Sequence, residues 1–158
     1  MHFTPGQLRS TIGISTETYR HWRRVLPDFS GRRGYAPCFS TGDLLAAGIL
    51  KRLTEECGVR IGFLKSISEE IVRLCNASSW TALENAFLHI DMPSGQCRIV
   101  KSGAVPTGSS AAILCELDPI LIQLRDTLLM TQPGDNQFPL RFPLASVKPR
   151  ARSGRRRA

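Results

Sequence analysis

The sequence predicts a mainly α-helical protein with a small amount of β-structure: two short N-terminal helices and two longer ones, followed by a small α+β half. Apolar residues recur at helical spacing between residues 41 and 74, which is typical of amphipathic helices. Capping residues precede the predicted helices. Two β-type runs, 96–101 and 111–117, flank a loop rich in Gly, Ser, Pro and Thr, which indicates a pair of strands.

The first two helices are predicted from their boundaries. Residues 4–7, Thr-Pro-Gly-Gln, form a helix start, because threonine caps the first turn, proline suits its first position and glutamine completes a capping box. Gly13 ends this helix. Ser15 caps a second helix that begins at residue 16 and extends to Arg24. Two short helices joined by a tight glycine turn form a helix-turn-helix.

The second helix presents Arg20, Arg23 and Arg24 beside two aromatic residues, Tyr19 and Trp22. A capped helix with several arginines suits insertion into the DNA major groove, because a guanidinium donates paired hydrogen bonds to guanine edges or to phosphates. The alternative interpretation is a solvated basic helix without a partner.

The segment 28–39 carries turn signals between Phe29 and Tyr35. This pattern predicts a small hairpin with Arg32 and Arg33 at its tip, where they would meet a phosphate or the minor groove. A flexible basic loop is the alternative, and the two interpretations do not exclude each other.

Two longer helices are predicted next. Ser40 or Thr41 caps the first, which ends at Cys57 and Gly58. The second is predicted from Ile61 to Leu74. Their apolar stripes are interpreted as core; they comprise Leu45, Ile49 and Leu53, and then Ile61, Leu64, Ile67, Ile71 and Leu74.

The second half is predicted as helix, hairpin, helix. The first helix runs from Trp80 to Ile90 with Trp80, Leu83, Phe87 and Ile90 on one face, and the last begins at Asp118 with a stripe of Leu121, Leu124 and Leu128. About fifty residues can bury only a small hydrophobic core on their own. We therefore expect an isologous homodimer through residues 79–131. The alternative is that the two stripes pack on each other within one chain.

Charge is concentrated at the two ends of the chain. The 158 residues include 21 Lys and Arg against 13 Asp and Glu, for a net charge of +8. Residues 1–40 carry +4, residues 41–147 carry −2, and residues 148–158 carry +6. This distribution favours a polyanionic partner. Residues 136–158 are predicted to form an extended, then disordered basic tail.

The five cysteines, at positions 38, 57, 75, 97 and 115, include no Cys-x-x-Cys pair and are odd in number. This usage predicts reduced thiols and a cytoplasmic, nucleoid-associated location. The N-terminus shows no secretory signal, and no run has the length of a membrane-spanning helix. We expect no membrane partner.

The sequence carries no recognisable catalytic or metal-binding motif. None of the cysteines and histidines has zinc-finger spacing, and neither a nucleophile elbow nor a phosphate-binding loop is present. Cys57 and Cys75 could meet Cys97 or Cys115 in a metal-sensing site, but small buried hydrophobes are the preferred interpretation. We therefore expect neither an enzyme nor a cofactor.

The N-terminal residues resemble the MerR-type winged helix-turn-helix regulators over about residues 3–74. Residues 17–22, Glu-Thr-Tyr-Arg-His-Trp, are similar to that family's Thr-Leu-Arg-x-Tyr core. Residues 34–40, Gly-Tyr-Ala-Pro-Cys-Phe-Ser, are similar to its Gly-Tyr-Arg-x-Tyr wing. The resemblance implies that Arg20 and Trp22 contact DNA and that Tyr35 braces the wing on the backbone.

The chain departs from the family at three places. Ala36 replaces the wing arginine, so that contact is either lost or supplied by Arg32 or Arg33. Arg23 stands where the family often has an acidic residue. The family's long dimerisation helix is interrupted here by residues 76–79, Asn-Ala-Ser-Ser.

Together these features predict a sequence-specific DNA-binding transcription regulator of bacterial or phage type. The predicted divisions are a DNA-binding domain (1–76), a dimerisation or sensor domain (79–135) and the tail. Double-stranded DNA and a second copy are the expected partners, with RNA polymerase or another regulator as a further candidate. The alternatives are an excisionase-like or architectural DNA-bending protein, and a ligand-sensing or protein-docking module with a pocket at Trp80 and Phe87. The predicted DNA-binding residues are Ser15, Thr16, Glu17, Tyr19, Arg20, Trp22, Arg23, Arg24, Arg32, Arg33 and Tyr35.

Overall fold

The computed structural model describes residues 1–31, 36–104, 108 and 110–130. Their fold is mixed: mainly helical, with one three-stranded antiparallel sheet. The elements in chain order are α1 (Pro5–Ile12), α2 (Thr16–Val25), α3 (Pro27–Ser30), α4 (Thr41–Glu55), α5 (Ile61–Ala77), α6 (Trp80–Leu83), β1 (Ala86–Asp91), β2 (Cys97–Lys101), β3 (Ala112–Glu116) and α7 (Asp118–Met130). The predicted fold class is therefore confirmed at the level of a mainly α protein with a small sheet.

The boundaries of α1 and α2 follow the predicted capping residues. The Thr4 hydroxyl accepts from the Gln7 amide at 3.2 Å, and the Gln7 side chain accepts from the Thr4 amide at 2.8 Å. Gly13 has φ +68°, a left-handed conformation that glycine adopts at little cost. Ile14 is buried beneath the three-residue turn and anchors it.

The segment after α2 differs from the predicted hairpin. Pro27–Ser30 forms one helical turn, and the side chain of Phe29 in this turn is buried in the core. The segment that would form the first strand of the predicted hairpin is therefore helical as far as Ser30. Proline pre-sets the backbone of a first helical position, which explains why Pro27 begins a new turn after ending α2. Phe39 forms an isolated bridge with Phe3. The predicted tip residues lie outside the described residues.

The core is built around α4 and α5, which pack along each other. The predicted stripe of α4 is fully buried, and α5 buries Leu64, Ile67 and Ile71. A polar network joins the start of α4 to the end of α5. The Asn76 amide donates to Asp43 at 3.0 Å and its oxygen accepts from the Ser40 hydroxyl at 2.6 Å. This network fixes the two helices relative to each other.

The predicted helix from Trp80 to Ile90 is wrong beyond its first turn. Helix α6 ends at Leu83, Asn85 adopts φ +53°, and Ala86–Asp91 is a strand. Asparagine tolerates this left-handed conformation, which breaks the helix. Short apolar runs are ambiguous between helix and strand by periodicity. Here hydrogen bonding to the two neighbouring strands stabilises residues 86–91 as the strand β1.

The predicted hairpin between the two later strands is also wrong. Strand order is β2-β1-β3, so β1 lies between them and pairs antiparallel with both. Leu88, in the middle of β1, faces Ile99 on one side and Cys115 on the other. The strand ranges themselves agree with the sequence to within two residues.

Helix α7 packs against α4 and α1 and thereby connects the two halves of the chain. Its residues Leu121 and Leu124 are buried, and they belong to one hydrophobic cluster that extends back to Phe3. Gly48 of α4 is where the two helices approach closely, because a Cβ built there would lie 2.7 Å from Ile120 Cγ2. None of the described helices is long and apolar enough to cross a membrane.

The close approach of α4 and α7 at Gly48 predicts opposite effects on stability for two glycine substitutions in helices. Gly48→Ala should lower the free energy of unfolding by about 1–3 kcal/mol, because overpacking against Ile120 outweighs the gain in helix propensity. Gly62→Ala in α5 is the matched control. Nothing lies within 4 Å of its added Cβ, so it should stabilise by up to about 1 kcal/mol. Urea unfolding measures both values, and equal shifts would contradict the α4–α7 packing.

Candidate nucleic-acid interface

Helix α2 is held to the core by aromatic packing. The Tyr19 ring lies 6.4 Å from Phe39, and the Trp22 ring lies 5.7 Å from Phe29, both in edge-to-face arrangements. The Phe29 and Phe39 rings lie 5.8 Å apart and close the cluster. Such pairs stabilise by about 0.5–1.5 kcal/mol beyond the area they bury. The helix is therefore a rigid platform for the side chains on its other face.

This packing corrects the role expected for two site residues. Trp22 is 2% exposed and Tyr19 is 6% exposed, so neither side chain has surface available for a base or a phosphate. Their spacing of three residues places them on one helix face, and that face turns toward the aromatic cluster. We revise their role from DNA contact to core packing.

The start of α2 is fixed by hydrogen bonds. The Ser15 hydroxyl accepts from the Thr18 amide at 3.0 Å, which caps the helix as expected. The Arg9 guanidinium of α1 donates to the Thr16 hydroxyl. On the far side of the turn, the Lys51 ammonium of α4 donates to the Ile12 carbonyl at 3.0 Å. These contacts set the angle at which α2 leaves the body of the protein.

The opposite face of α2 is exposed and basic. Arg20 and Arg24 are exposed, Arg23 is half-buried, and the three side chains surround an open depression together with Ser30 of α3. The Arg23 Nε atom is buried and has no hydrogen-bond partner among the described residues. Ser15, Thr16, Glu17 and His21 extend this exposed polar surface toward the helix start.

These arginines differ from others in the chain. Arg52, Arg73 and Arg125 each pair with a glutamate, at 2.6, 2.5 and 2.9 Å respectively. No ion pair joins Arg20, Arg23 or Arg24 to any described carboxylate. Glu17 lies one helical turn before Arg20 on the same surface, but the structure shows no ion pair between them among the described residues. An unpaired arginine cluster on a rigid helix is suited to bind phosphate or base edges.

The structure thus places Ser15, Thr16, Glu17, Arg20, Arg23 and Arg24 on one accessible surface, whereas Arg32, Arg33 and Tyr35 lie outside the described residues. Sequence reasoning missed Arg9 and Ser30 as parts of this region. The sequence offered a reason to place Ser30 here, because Pro27 can begin a helical turn that brings the chain back beside α2. No local pattern identifies Arg9, since its partner lies across the turn.

The cysteines do not form a metal site in the described part of the chain, where no three or more His, Cys, Asp or Glu residues are grouped to hold an ion. Cys75, Cys97 and Cys115 are buried, whereas Cys57 is exposed. Burial raises the pKa of Cys75 to about 12 and those of Cys97 and Cys115 to about 11, because the thiolate loses its hydration.

Comparison with protein-family models, with curated proteins and with solved structures finds no significant match. The similarity to MerR-type regulators therefore remains a resemblance of residues and their order. Function must be argued from the surface of α2 itself.

The burial of the thiols predicts selective labelling. In the native protein at pH 8, a maleimide should modify Cys57 rapidly, whereas Cys75, Cys97 and Cys115 should react only after unfolding, because the thiolate is the nucleophile. Mass spectrometry of digested protein locates the labels. Rapid native labelling of Cys75 would contradict its burial against α4.

Proposed function

We propose that this protein is a sequence-specific DNA-binding transcription regulator that reads the major groove with α2. One observation carries the proposal. Three arginines without a described carboxylate partner lie on the exposed face of a capped helix whose other face is locked into the core. A helix has the width to enter the major groove, where each base pair presents a distinct pattern of donors and acceptors.

In this proposal α1 and α2 form a helix-turn-helix. Arg20 reads a base edge, while Arg23 and Arg24 contact phosphates and fix the orientation of α2. Arg32 and Arg33, which follow α3 in the chain, add contacts to the DNA backbone. The basic residues 148–158 act as a sequence-blind anchor, since phosphate contacts carry no sequence information directly. The protein performs no catalysis and acts in the cytoplasm on the nucleoid.

Replacement of Arg20 tests the proposal. DNA selected from a random pool by the full chain provides the preferred site, and a scrambled sequence provides the reference. Arg20→Ala should weaken binding to the preferred site by about 1–3 kcal/mol, with a smaller loss on scrambled DNA. Arg73→Ala removes the same charge from an ion pair on α5 and should change neither value.

Three other outcomes would change the assignment. Equal losses on both DNAs would make Arg20 a phosphate contact. Binding without any enriched sequence would favour the architectural, DNA-bending alternative. Absence of DNA binding at low salt would refute the proposal as a whole.

We also propose that the protein binds DNA as a homodimer, because a single small module reads few base pairs. The apolar stripes expected at the interface offer little surface for it, because Leu83, Ile90, Leu121 and Leu124 are buried within the chain. The α7 residues pack against α4 and α1, so the alternative in which the two stripes pack on each other stays a prediction. Two large apolar residues of α7 remain outside, Ile122 at 56% and Leu129 at 64% exposed. They lie seven residues apart, which is about two helical turns, so they share one face.

Light scattering at micromolar protein tests this dimer. The wild-type chain should have a dimer mass, and Ile122→Arg should give a monomer, because a charge would be buried in the contact. Gln123→Arg adds the same charge at a neighbouring exposed position and should leave the dimer intact. A monomer mass for the wild-type protein, both free and on DNA, would exclude the homodimer. Leu124→Arg is unsuitable because Leu124 is buried in the core.

A ligand sensor is the second candidate function, and a cleft between α1, α4 and α7 favours it. The cleft is lined by Ile12, Lys51, Pro119 and Gln123, among others, so a bound molecule would touch both halves of the chain. The pocket expected at Trp80 and Phe87 is not this cleft. A small molecule that shifts the amides of Ile12 and Gln123 in an NMR titration and changes DNA affinity would establish the sensor.

A further inference from the structure

Strand β3 has one edge that pairs with no strand among the described residues, and this edge is called its free edge. Its other edge pairs with β1, where Met92 N–H donates to the Ala111 carbonyl at 3.0 Å and Leu117 N–H donates to the Ala86 carbonyl at 3.1 Å. The odd-numbered residues of β3 therefore bond to β1, since bonded positions alternate in an antiparallel pair. The N–H and C=O groups of Ala112, Leu114 and Glu116 point away from β1. No described strand lies beyond them.

The centre of this edge carries an exposed apolar residue. Leu114, at its centre, is 43% exposed. An exposed edge strand with an apolar residue is a template for pairing with another extended segment, and natural proteins usually cover or block such an edge.

The chain itself carries a segment with a matching pattern. Residues 138–144 read Phe-Pro-Leu-Arg-Phe-Pro-Leu, with large apolar residues at every even position and proline at 139 and 143. Successive backbone N–H groups of an extended strand point to opposite edges. Proline has no backbone N–H group, so both missing donors would lie on the same edge of the extended segment. An edge strand tolerates this arrangement when that edge faces away from the sheet. The even-numbered N–H groups would all remain available on the other edge.

We propose that residues 138–144 bind along the free edge of β3 in the same chain, as an added antiparallel strand. Main-chain hydrogen bonds would supply the attachment, as in other cases of β-strand addition. The even residues of the segment would bond to the even residues of β3. Directly opposed residues of a sheet share a face, so Phe138, Leu140 and Phe142 would fall on the face of Leu114. The pairing of even-numbered backbone groups and the placement of apolar side chains beside Leu114 therefore require the same alignment of the two strands.

The length of the chain permits this return. Helix α7 begins two residues after β3 ends and spans roughly 20 Å over its 13 residues. Residues 131–137 can span about 25 Å when extended. The segment can therefore return to the end of β3 near Glu116 and run back toward Ala112. This direction is antiparallel to β3.

Amide hydrogen exchange of the full chain, measured by NMR, tests the proposal. The Leu114 amide should exchange at least about tenfold more slowly in the wild-type protein than in Leu140→Pro, which removes a donor facing β3. Arg141→Pro is the matched control, because its lost N–H faces away from β3, and it should keep the slow exchange. The Ile113 amide bonds to β1 and should stay protected in all three proteins, which confirms that the fold is intact.

Fast exchange of the Leu114 amide in the wild-type chain would overturn the proposal, as would equal exchange in the two proline variants. Protection that appears only as protein concentration rises, together with a dimer mass, would assign the edge to a second copy and would also overturn it. None of these outcomes depends on DNA binding, so the result is independent of the proposed function.

Discussion

Burial of α4 on almost every side is the constraint on which the rest of the structure depends. Its residues from Leu44 to Ala47 and its apolar residues Ile49, Leu50 and Leu53 are all 0% exposed. A helix that is apolar nearly all round must be covered by several neighbours. Here α1, α5 and α7 pack against it, and each brings a different part of the chain into place. The basic face of α2 is positioned by the same packing, through α1 and the turn at Gly13.

The two faces of α2 have different roles in the candidate interface. Aromatic residues face inward and immobilise the helix, while the arginines face outward and form no ion pair with a described carboxylate. Elsewhere, Arg52 and Arg73 each pair with a glutamate one helical turn away. Exposed ion pairs contribute little to stability, but they lower the local positive potential. The arginines of α2 form no such pair with the described residues, so their positive charge remains available at one surface, as the proposed binding to DNA requires.

The second half of the chain shows how tertiary pairing overrides a local pattern. Phe87 and Ile90 are three residues apart, a spacing that favours one face of a helix, whereas a strand places them on opposite faces. Strands β2 and β3 each supply hydrogen-bonding partners on one side of β1. The central strand gains two ladders by extending, whereas a helix would leave both neighbours unpaired. Asn85 makes the change of direction possible.

The sequence alone determined the local features of this protein: the capped starts of α1, α2 and α4, the glycine turn at Gly13, the buried stripe of α4 and most of that of α5, and the arginine content of α2. These follow from residues within a few positions of each other, whose steric and hydrogen-bonding preferences act locally. Only the tertiary structure decided which face of α2 is free, that Trp22 belongs to the core, and that β1 separates β2 from β3. Those outcomes depend on contacts between residues distant in the chain, such as Tyr19 with Phe39 and Leu88 with Cys115. No local pattern encodes such contacts, because their free energy arises only when the elements pack together.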